Sequence, residues 1–245
     1  MAANFYETGK ALSEYLYFHY GDDGSPVEMF PVTCVRDCID ARRLPANARA
    51  LDLGCAVGRS AFELARHCAE VIGIDYSRAF IDAATKLRNR GALKFQYLLE
   101  GELTAEAVAR TPHGVDARRV HFEVGDAMKL RADIGAFDVV LMANLIDRLP
   151  DPRRCLAQAP SLVNPGGQLI IASPYTWLEG YTPRAKWLGG FKRGKREVHA
   201  FDSLAEILEP SFKLARRRDL PFLIREHARK FQLGISDATV WTRKK

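Results

Sequence analysis

The chain contains 245 residues, of which 47% are hydrophobic and 27% charged, and its formal net charge is +6. A chain of this length and composition can bury a large core, which excludes disordered, collagen-like and disulfide-scaffold proteins. Its uncharged apolar runs, such as 139–145, are much shorter than the roughly 20 residues that cross a bilayer. The N-terminus MAANFYETGK lacks the basic and apolar segments of a signal peptide, and the cysteine count of five is odd. We therefore expect a cytoplasmic protein with free thiols and no membrane segment.

The N-terminal 45 residues are expected to be largely helical. Apolar residues at helical spacing predict one helix around 12–19, followed by a turn at 21–25. A second helix is predicted at 34–43, because Pro45 cannot continue it. We expect the segment 1–45 to act as a helical lid.

From residue 50 onward, short apolar runs alternate with amphipathic segments. Strands are predicted at 50–53, 71–74, 120–124, 137–142, 168–172, 212–218 and 237–242. Helices are predicted at 60–68, 78–90 and 152–162, and a turn at 164–167. Strands alternating with helices favour an α/β, Rossmann-like fold, in which a seven-stranded, mostly parallel sheet is flanked by helices. Ligands of such sheets bind beyond the carboxyl ends of the strands.

Two segments interrupt this alternation, and we expect them to cap the ligand site together with the N-terminal lid. Segment 94–118 is predicted to add a strand at 95–98 and a helix at 104–110. Segment 173–200 is rich in Tyr, Trp, Gly and Lys, and long loops in compact domains are usually lids or binding loops. The whole chain is expected to form one domain.

The first predicted strand of the sheet ends in a glycine-containing loop, DLGCAVG at 52–58. Gly54 and Gly58 allow a tight turn and the close approach of a ligand. A dinucleotide-binding loop has the pattern G-x-G-x-x-G, whereas this loop has no glycine two positions after Gly54. The loop resembles the first motif of class I methyltransferases, which bind S-adenosyl-L-methionine (SAM). The resemblance implies a cofactor site that includes Asp52, Gly54, Cys55, Ala56 and Gly58.

Polar residues follow the next strands at positions where cofactor contacts are expected. Asp75 ends the second strand, where a carboxylate can accept hydrogen bonds from both ribose hydroxyls, and Tyr76 can pack on the adenine. In class I methyltransferases, the residues that correspond to Asp126 and Ala127 lie near the adenine of SAM. The residue that corresponds to Asn144 lies near the methionine part of SAM. The predicted cofactor is therefore SAM. An NAD(P)-dependent oxidoreductase and a sheet whose glycines merely close turns remain the alternatives.

Beyond these motifs, the chain resembles a narrower family, the ovothiol biosynthesis methyltransferases. They comprise the C-terminal domain of OvoA and the stand-alone 4-mercaptohistidine N1-methyltransferase, OvoM. The resemblance is carried by FYET at 5–8, YLYFHYG at 15–21, FPV at 30–32, EGELT at 100–104, SPYTWLE at 173–179, TPR at 182–184, WLGGF at 187–191 and IREHARKFQ at 224–232. It implies methyl transfer from SAM to an imidazole nitrogen of 5-thiohistidine, a small-molecule substrate, giving ovothiol A.

The acceptor nitrogen must be unprotonated, so a base or a hydrogen-bond acceptor is expected beside the ring. The catalytic candidates are Asn144, Asp147, Tyr175 and His227. Asn144 and Asp147 share the run that follows the fourth strand, so one of them is expected to face the substrate. His227 lies in a dense polar run and can equally be a surface or packing histidine.

An amino-acid acceptor also carries a carboxylate, which arginine binds well in a bidentate manner. Arg225 and Arg229 are the leading candidates for this contact. His19 is expected to contact the substrate from the lid, and Trp177 to provide a flat wall for the ring.

No metal site is predicted, because Cys34 and Cys38 lack a second pair of ligands at zinc-binding distance. The stretch 184–199 carries six basic residues against one acid, but it lacks the aromatic spacing of a groove that binds single strands. Nucleic acid is therefore not an expected partner. A methyltransferase for another small molecule such as a phenol, an RNA-binding methyltransferase and a SAM-sensing module remain the alternatives.

Overall fold

A seven-stranded sheet forms the centre of the protein, in a computed structural model that describes residues 5–21 and 24–245. Its strands, numbered along the chain, are β1 (Arg49–Leu53), β2 (Glu70–Asp75), β5 (Val120–Val124), β6 (Phe137–Ala143), β7 (Val163–Ser173), β10 (Phe212–His227) and β11 (Lys230–Arg243). Their spatial order is β5-β2-β1-β6-β7-β11-β10. The first five strands in this order run parallel, whereas β11 is antiparallel to β7 and β10 is antiparallel to β11. The predicted Rossmann-like fold with seven strands is confirmed.

Helices cover both faces of this sheet. They are α1 (Gly9–Tyr20), α2 (Phe30–Arg36), α3 (Arg59–Leu64), α4 (Arg78–Arg90), α5 (Pro152–Leu156), α6 (Ala159–Leu162) and α7 (Ala200–Leu208). Strand β6 shows why both faces are needed, because its successive side chains belong to different core clusters. Val139 and Leu141 pack with residues of α1 to α4, whereas Val140 and Met142 pack with residues of α5 to α7. A continuous apolar run is typical of a parallel strand that is buried on both faces.

Capping residues explain where two of the helices begin and end. The Thr8 hydroxyl accepts a hydrogen bond from the Ala11 amide at the start of α1, and the Ser77 hydroxyl accepts one from the Phe80 amide at the start of α4. Helix α4 ends at Gly91, whose φ of 74° is readily adopted by glycine. The helix predicted at 78–90 is confirmed.

The helix predicted at 104–110 is wrong, because this segment is strand β4 (Leu103–Arg110), antiparallel to β3 (Ala92–Glu100). Its alanines have high helix propensity, but the segment alternates between inward and outward residues, as a half-buried strand does. Pairing with β3 therefore overrides the local preference. The insertion is a β-hairpin that packs against α1.

Other predicted helices have different bounds. Helix α2 begins at Phe30 and ends at Arg36, and only a short 3₁₀ turn at Ala41–Arg43 follows, so the prediction of 34–43 is wrong. Proline favours the first turn of a helix, which explains both the early start at Pro31 and the division of 152–162 into two helices at Pro160.

Further bounds also differ from the predictions. Helix α3 ends at Leu64 instead of Cys68, and the turn predicted at 164–167 lies within β7. The turn predicted at 21–25 includes residues 22 and 23, which are outside the described residues, as are residues 1–4 of the predicted lid.

The last two strands extend well beyond the predicted bounds. The predicted strands at 212–218 and 237–242 are the inner halves of a long hairpin, whose outer half rises beyond the end of β7. Phe222 in this outer half packs against Phe18 of α1 and Phe30 of α2, at ring distances of 6.3 and 5.3 Å. The hairpin and the N-terminal helices therefore form one aromatic layer above the carboxyl end of the sheet.

Segment 173–200 adds a third, smaller hairpin, formed by β8 (Phe191–Arg193) and β9 (Arg196–Val198). All five cysteines lie within 24–245 and are buried free thiols. In the part of the chain that the structure describes, no helix combines the length and apolar character that crossing a bilayer requires.

Candidate active site

A cavity of about 990 Å³ lies at the carboxyl ends of β1, β2, β5 and β6. Its floor includes the loop after β1, and its cover is formed by α1, α2 and the outer half of the β10–β11 hairpin. Starting at β1, the chain first adds β2 and β5 on one side of the sheet and then β6 and β7 on the other side. Doubly wound sheets bind their ligands at this switch point, between β1 and β6.

The loop after β1 has a backbone that few residues other than glycine adopt. Gly54, Ala56 and Gly58 all have positive φ, of 81°, 47° and 87°. A Cβ at Gly58 would lie 2.5 Å from the ring of Phe122, so this glycine is also required for packing. Gly54 and Ala56 line the cavity, whereas the described wall does not include Gly58 or the fully buried Cys55.

Asp75 lies at the end of β2 and connects two loops of the cavity wall. Its Oδ2 accepts a hydrogen bond from the Ala56 amide and its Oδ1 accepts one from the Ser77 amide, both at 2.9 Å. Burial raises the pKa of this carboxyl group, and the backbone hydrogen bonds oppose the rise. A carboxylate has about four lone-pair sites, so both oxygens can still accept hydrogen bonds from a ligand.

Asp52 lies beneath the loop instead of on the cavity wall described here. It is almost completely buried, and its Oδ2 accepts a hydrogen bond of 2.8 Å from the Ser60 hydroxyl. Its Oδ1 has no hydrogen-bond partner in the described residues, and burial raises the pKa of the carboxyl group to about 7. The geometry gives Asp52 a role in shaping the loop.

The residues predicted to meet the adenine all line the cavity. Tyr76 is 65% exposed at the rim, so a flat face of its ring is available. Asp126 and Ala127 follow β5, and Asp126 Oδ1 accepts a hydrogen bond of 2.8 Å from the Met128 amide. The fold therefore brings together at one cavity three residues from two distant parts of the chain, as the sequence predicts.

Asn144 follows β6 and lines the cavity in a left-handed backbone conformation, with φ of 51°. Its Oδ1 accepts a hydrogen bond of 2.7 Å from the Ser236 hydroxyl of β11. Asparagine tolerates this conformation better than most residues, and the conformation is found often at functional positions.

His19 of α1 also lines the cavity, although it is only 6% exposed. Its Nδ1 has no hydrogen-bond partner in the described part of the chain. Burial, together with the positive charge of Arg59, lowers the pKa of the His19 imidazole to about 3. The ring is therefore neutral across the physiological range.

Charges on the cavity wall favour a cationic ligand. Three carboxylates, those of Glu14, Asp75 and Asp126, face one cationic side chain, that of Arg148, among the described wall residues. Arg59, the first residue of α3, pairs with Glu63 and is not part of the described cavity wall. The wall near the amino end of α3 therefore lacks the lysines or arginines that would bind a diphosphate. A nucleoside with a positively charged sulfonium fits this wall better than a pyridine dinucleotide does.

Three of the predicted catalytic residues lie away from the described cavity wall. Asp147 is fully buried and accepts hydrogen bonds from Arg148, Ser173 and Thr176. The Tyr175 hydroxyl donates a hydrogen bond of 2.9 Å to Asp237, and His227 lies at the end of β10. The run after β6 therefore presents Asn144 to the cavity and keeps Asp147 in the interior.

The residues predicted to bind substrate, apart from His19, also lie elsewhere. The Arg225 guanidinium is stacked between the rings of Tyr17 and Tyr97, at 4.8 and 4.7 Å, and donates to the Leu98 carbonyl. Arg229 is exposed in the turn between β10 and β11. Trp177 is buried and stacks on Trp187. These positions do not support the substrate contacts expected from the sequence.

Sequence reasoning missed part of the wall. The missed residues include Tyr6, Glu14, Arg148 and the hairpin segment 232–235. Arg148 had a usable signal, since it follows the carboxyl end of β6 by only a few residues. The hairpin segment had none, because its approach to the cavity depends on tertiary packing.

The fold and the site together define a class I methyltransferase, with a nucleoside site at the switch point of the sheet. A family model described as a methyltransferase domain matches residues 44–198, more than half of the chain. The protein therefore belongs to this methyltransferase domain family, and its methyl donor is SAM.

Two curated relatives illustrate the similarity to known methyltransferases. The ubiquinone biosynthesis O-methyltransferase of Coxiella burnetii is 27% identical over 123 residues, which cover 50% of this chain and 42% of that protein. The O-methyltransferase cnsE of Penicillium expansum is 28% identical over 176 residues, covering 68% of this chain and 55% of that protein. The chain thus spans about half the length of the curated relatives it matches.

Solved structures confirm the fold across nearly the whole chain. The [4+2]-cyclase SpnF has a TM-score of 0.60 at 17% identity, covering 99% of this chain and 95% of that one. Magnesium protoporphyrin IX methyltransferase of Synechocystis, solved with bound SAM, has a TM-score of 0.55 at 17% identity, covering 98% and 93%. Identities this low establish the fold and leave the acceptor undefined.

Proposed function

We propose that SAM binds across the loop after β1, with Asp75 accepting hydrogen bonds from its ribose hydroxyls. The free lone pairs of Asp75 and the fixed position of the Ala56 amide beside them support this role. Asp126 and Ala127 would contact the adenine, which would lie against Tyr76. Gly54, Ala56 and Asn144 would border the methionine part of the cofactor. Asp52, Cys55 and Gly58 would then act by holding the loop in shape.

When bound, SAM supplies an electrophilic methyl group on a sulfonium. The protein's own residues would orient the acceptor and exclude water, and orientation alone can contribute several kcal/mol to catalysis. The aromatic layer of α1, α2 and the hairpin would keep the cavity dry. Asn144 and the neutral His19 are the wall residues best suited to hold a neutral acceptor atom, since neither is charged at physiological pH.

For the acceptor, we propose the imidazole ring of 5-thiohistidine, which would be methylated on a ring nitrogen to give ovothiol A. One observation carries this proposal. The segments through which the chain resembles ovothiol methyltransferases, above all 5–8, 15–21 and 224–232, supply much of the cavity cover, including Tyr6 and His19.

A second candidate is O-methylation of a small phenol. It is favoured by the names of the curated relatives, which are O-methyltransferases. In both cases we propose that the whole chain acts as one domain, in which the described part of the first 45 residues and the segment 173–200 contribute to the wall of one cavity. The expectation that segment 94–118 also caps the site is wrong for the described cavity wall, because its hairpin packs against α1 and does not reach the cavity.

The test is incubation of the purified chain with SAM and either 5-thiohistidine or a catechol, followed by mass spectrometry of the acceptor. The proposal predicts the gain of one methyl group by 5-thiohistidine, on a ring nitrogen as located by fragmentation. Methylation of the catechol alone would establish the second candidate. No product from 5-thiohistidine, with SAM binding demonstrated by calorimetry, would eliminate the proposed acceptor.

A further inference from the structure

Arg148 occupies a special place among the basic residues of the protein. The chain has 36 lysines and arginines, but the described cavity wall includes Arg148 alone. The other described wall residues are aromatic, aliphatic, acidic or neutral polar ones such as Asn144, so this guanidinium is the positive charge there that can attract an anionic group.

One edge of the Arg148 guanidinium is firmly held. Its Nη1 donates hydrogen bonds to the Asp147 carbonyl at 3.0 Å, to Asp147 Oδ2 at 2.8 Å and to the Thr176 carbonyl at 2.9 Å. The guanidinium carbon also lies 5.1 Å from the centre of the Tyr181 ring. Asp147 is itself fixed by the Ser173 hydroxyl and the Thr176 amide. A ligand would therefore meet a guanidinium that is already ordered, at little cost in side-chain entropy.

The other edge of the guanidinium is open. Neither Nε nor Nη2 has a hydrogen-bond acceptor in the described part of the chain, and neither is among the buried polar atoms without a partner. The side chain is 27% exposed. This edge carries two parallel N–H donors, whose spacing matches the two oxygens of a carboxylate.

Three tyrosines of the cavity wall form a chain, and the charge of Arg148 acts on two of them. The rings of Tyr15, Tyr6 and Tyr181 follow one another at distances of 5.9 and 6.0 Å. Burial raises the pKa of Tyr15 to about 12 and that of Tyr6 above its usual range, although the charge of Arg148 acts in the opposite direction on both. The phenols of Tyr15 and Tyr6 therefore remain protonated at neutral pH, and a phenol can donate a hydrogen bond to an anion.

We propose that Arg148 binds the carboxylate of the methyl acceptor, whose aromatic ring then lies within the aromatic wall of the cavity. The inference rests on the proposed small-molecule methyltransferase function and specifies its substrate class as an aromatic compound that carries a carboxylate. Asp147 becomes a positioning residue, because it acts by holding Arg148. The carboxylate contact that the sequence predicted at Arg225 and Arg229 is thereby assigned to Arg148.

The experiment compares acids with their methyl esters in calorimetric titrations of the full chain saturated with S-adenosylhomocysteine. The probes are 5-thiohistidine and its methyl ester, and 4-hydroxybenzoate and its methyl ester. The variant is Arg148→Lys, because lysine can still pair with Asp147 but cannot offer two parallel donors. The matched control is Arg184→Lys, since Arg184 also stacks on an aromatic ring, that of Trp187, but lies outside the described cavity wall.

In the wild-type protein, the acid should bind at least about tenfold more tightly than its ester in at least one pair. Arg148→Lys should reduce this ratio to below about threefold, with unchanged affinity for S-adenosylhomocysteine, and Arg184→Lys should leave the ratio intact.

The two acids separate the carboxylate site from the proposed acceptor. If only 4-hydroxybenzoate binds more tightly than its ester, and this preference depends on Arg148, the carboxylate site is retained and 5-thiohistidine is eliminated as the acceptor. Equal binding of acids and esters, an unchanged ratio in Arg148→Lys, or no binding of any probe would overturn the assignment of Arg148, even if 5-thiohistidine were methylated.

Discussion

The Ser60 hydroxyl donates a hydrogen bond of 2.8 Å to Asp52 Oδ2, and both side chains are buried. This contact joins the end of β1 to the first turn of α3, across the loop that forms the cavity floor. One hydroxyl group cannot fully replace the hydration of a carboxylate, and the other oxygen of Asp52 has no partner in the described residues. The loop is therefore held by a carboxyl group whose pKa burial raises to about 7.

This environment predicts that ionised Asp52 lowers the free energy of unfolding by an amount that depends on pH. Burial raises the pKa of the folded state to about 7, above the ordinary 3.8, so the unfolded chain ionises first as pH rises. The contribution of Asp52 to stability should therefore fall between about pH 4 and pH 7 and stay low above that. Asp52→Asn removes this cost and should stabilise the protein, relative to wild type, by on the order of 1–3 kcal/mol more at pH 8 than at pH 5.

Urea unfolding at the two pH values measures this difference. Asp151→Asn is a suitable control, because Lys186 lowers the pKa of the Asp151 carboxyl group, which is therefore ionised in both the folded and the unfolded chain at pH 5 and at pH 8. This substitution should change the free energy of unfolding by the same amount at the two pH values. Parallel pH profiles for wild type and Asp52→Asn would show that Asp52 is not forced toward protonation.

His19 should act on stability in the acid range. Its pKa is lowered from 6.5 to about 3, so the unfolded chain binds a proton that the folded chain does not accept. The free energy of unfolding should therefore decline as pH falls below about 6.5. The contribution of His19 to this decline is about 1.4 kcal/mol for each pH unit.

The variant His19→Gln should weaken this decline, as followed by thermal unfolding at pH 7.5 and pH 5. His67→Gln provides the control, since His67 is exposed on the surface. If the decline toward pH 5 were equally steep in His19→Gln and in wild type, His19 would not be the buried neutral group described here.

Arg225 should behave as a structural residue. Its guanidinium joins Tyr17 of α1 to Tyr97 of the β3–β4 hairpin, and β10 is further connected to β3 by the Ala228 amide, which donates to the Leu99 carbonyl. Arg225→Met should lower the free energy of unfolding by about 1–2 kcal/mol, through loss of the stacked cation and its hydrogen bond.

Arg229→Met is the matched comparison, because this arginine lies in the same hairpin but is exposed in its turn. It should change stability by less than about 0.5 kcal/mol. Chemical denaturation of both variants tests this contrast. A selective rise in acceptor KM for Arg225→Met at unchanged stability would favour the substrate contact predicted from the sequence.

Much of the central sheet follows from local sequence, because buried parallel strands are short apolar runs that end at recognisable loops. The loop at 52–58, Asp75 and Asp126 could be assigned together for this reason, since the carboxyl ends of parallel strands meet at one edge. In the case of β4, the alanines favoured a helix, and only pairing with β3 determined the strand.

The cover of the cavity was less predictable, because it depends on contacts between distant segments. Pro221 and Gly234 interrupt the strand pattern of the last hairpin, but proline is tolerated in the edge strand β10. The hairpin therefore continues past both residues and reaches the cavity. The direction of Arg225 likewise follows from this long hairpin and from its packing on Tyr17, which charge alone does not reveal.

We propose above that Asp75 holds the nucleoside of SAM over the loop after β1. Calorimetric titration with S-adenosylhomocysteine of wild type, Asp75→Asn and the exposed control Asp82→Asn tests it most directly, with thermal unfolding to verify that each variant is folded. We expect one bound ligand per chain, retained affinity in Asp82→Asn, and a loss of at least about tenfold in Asp75→Asn, since a hydrogen bond to a charged group contributes roughly 1.5–3 kcal/mol. Equal affinity in folded Asp75→Asn and wild type would contradict the account.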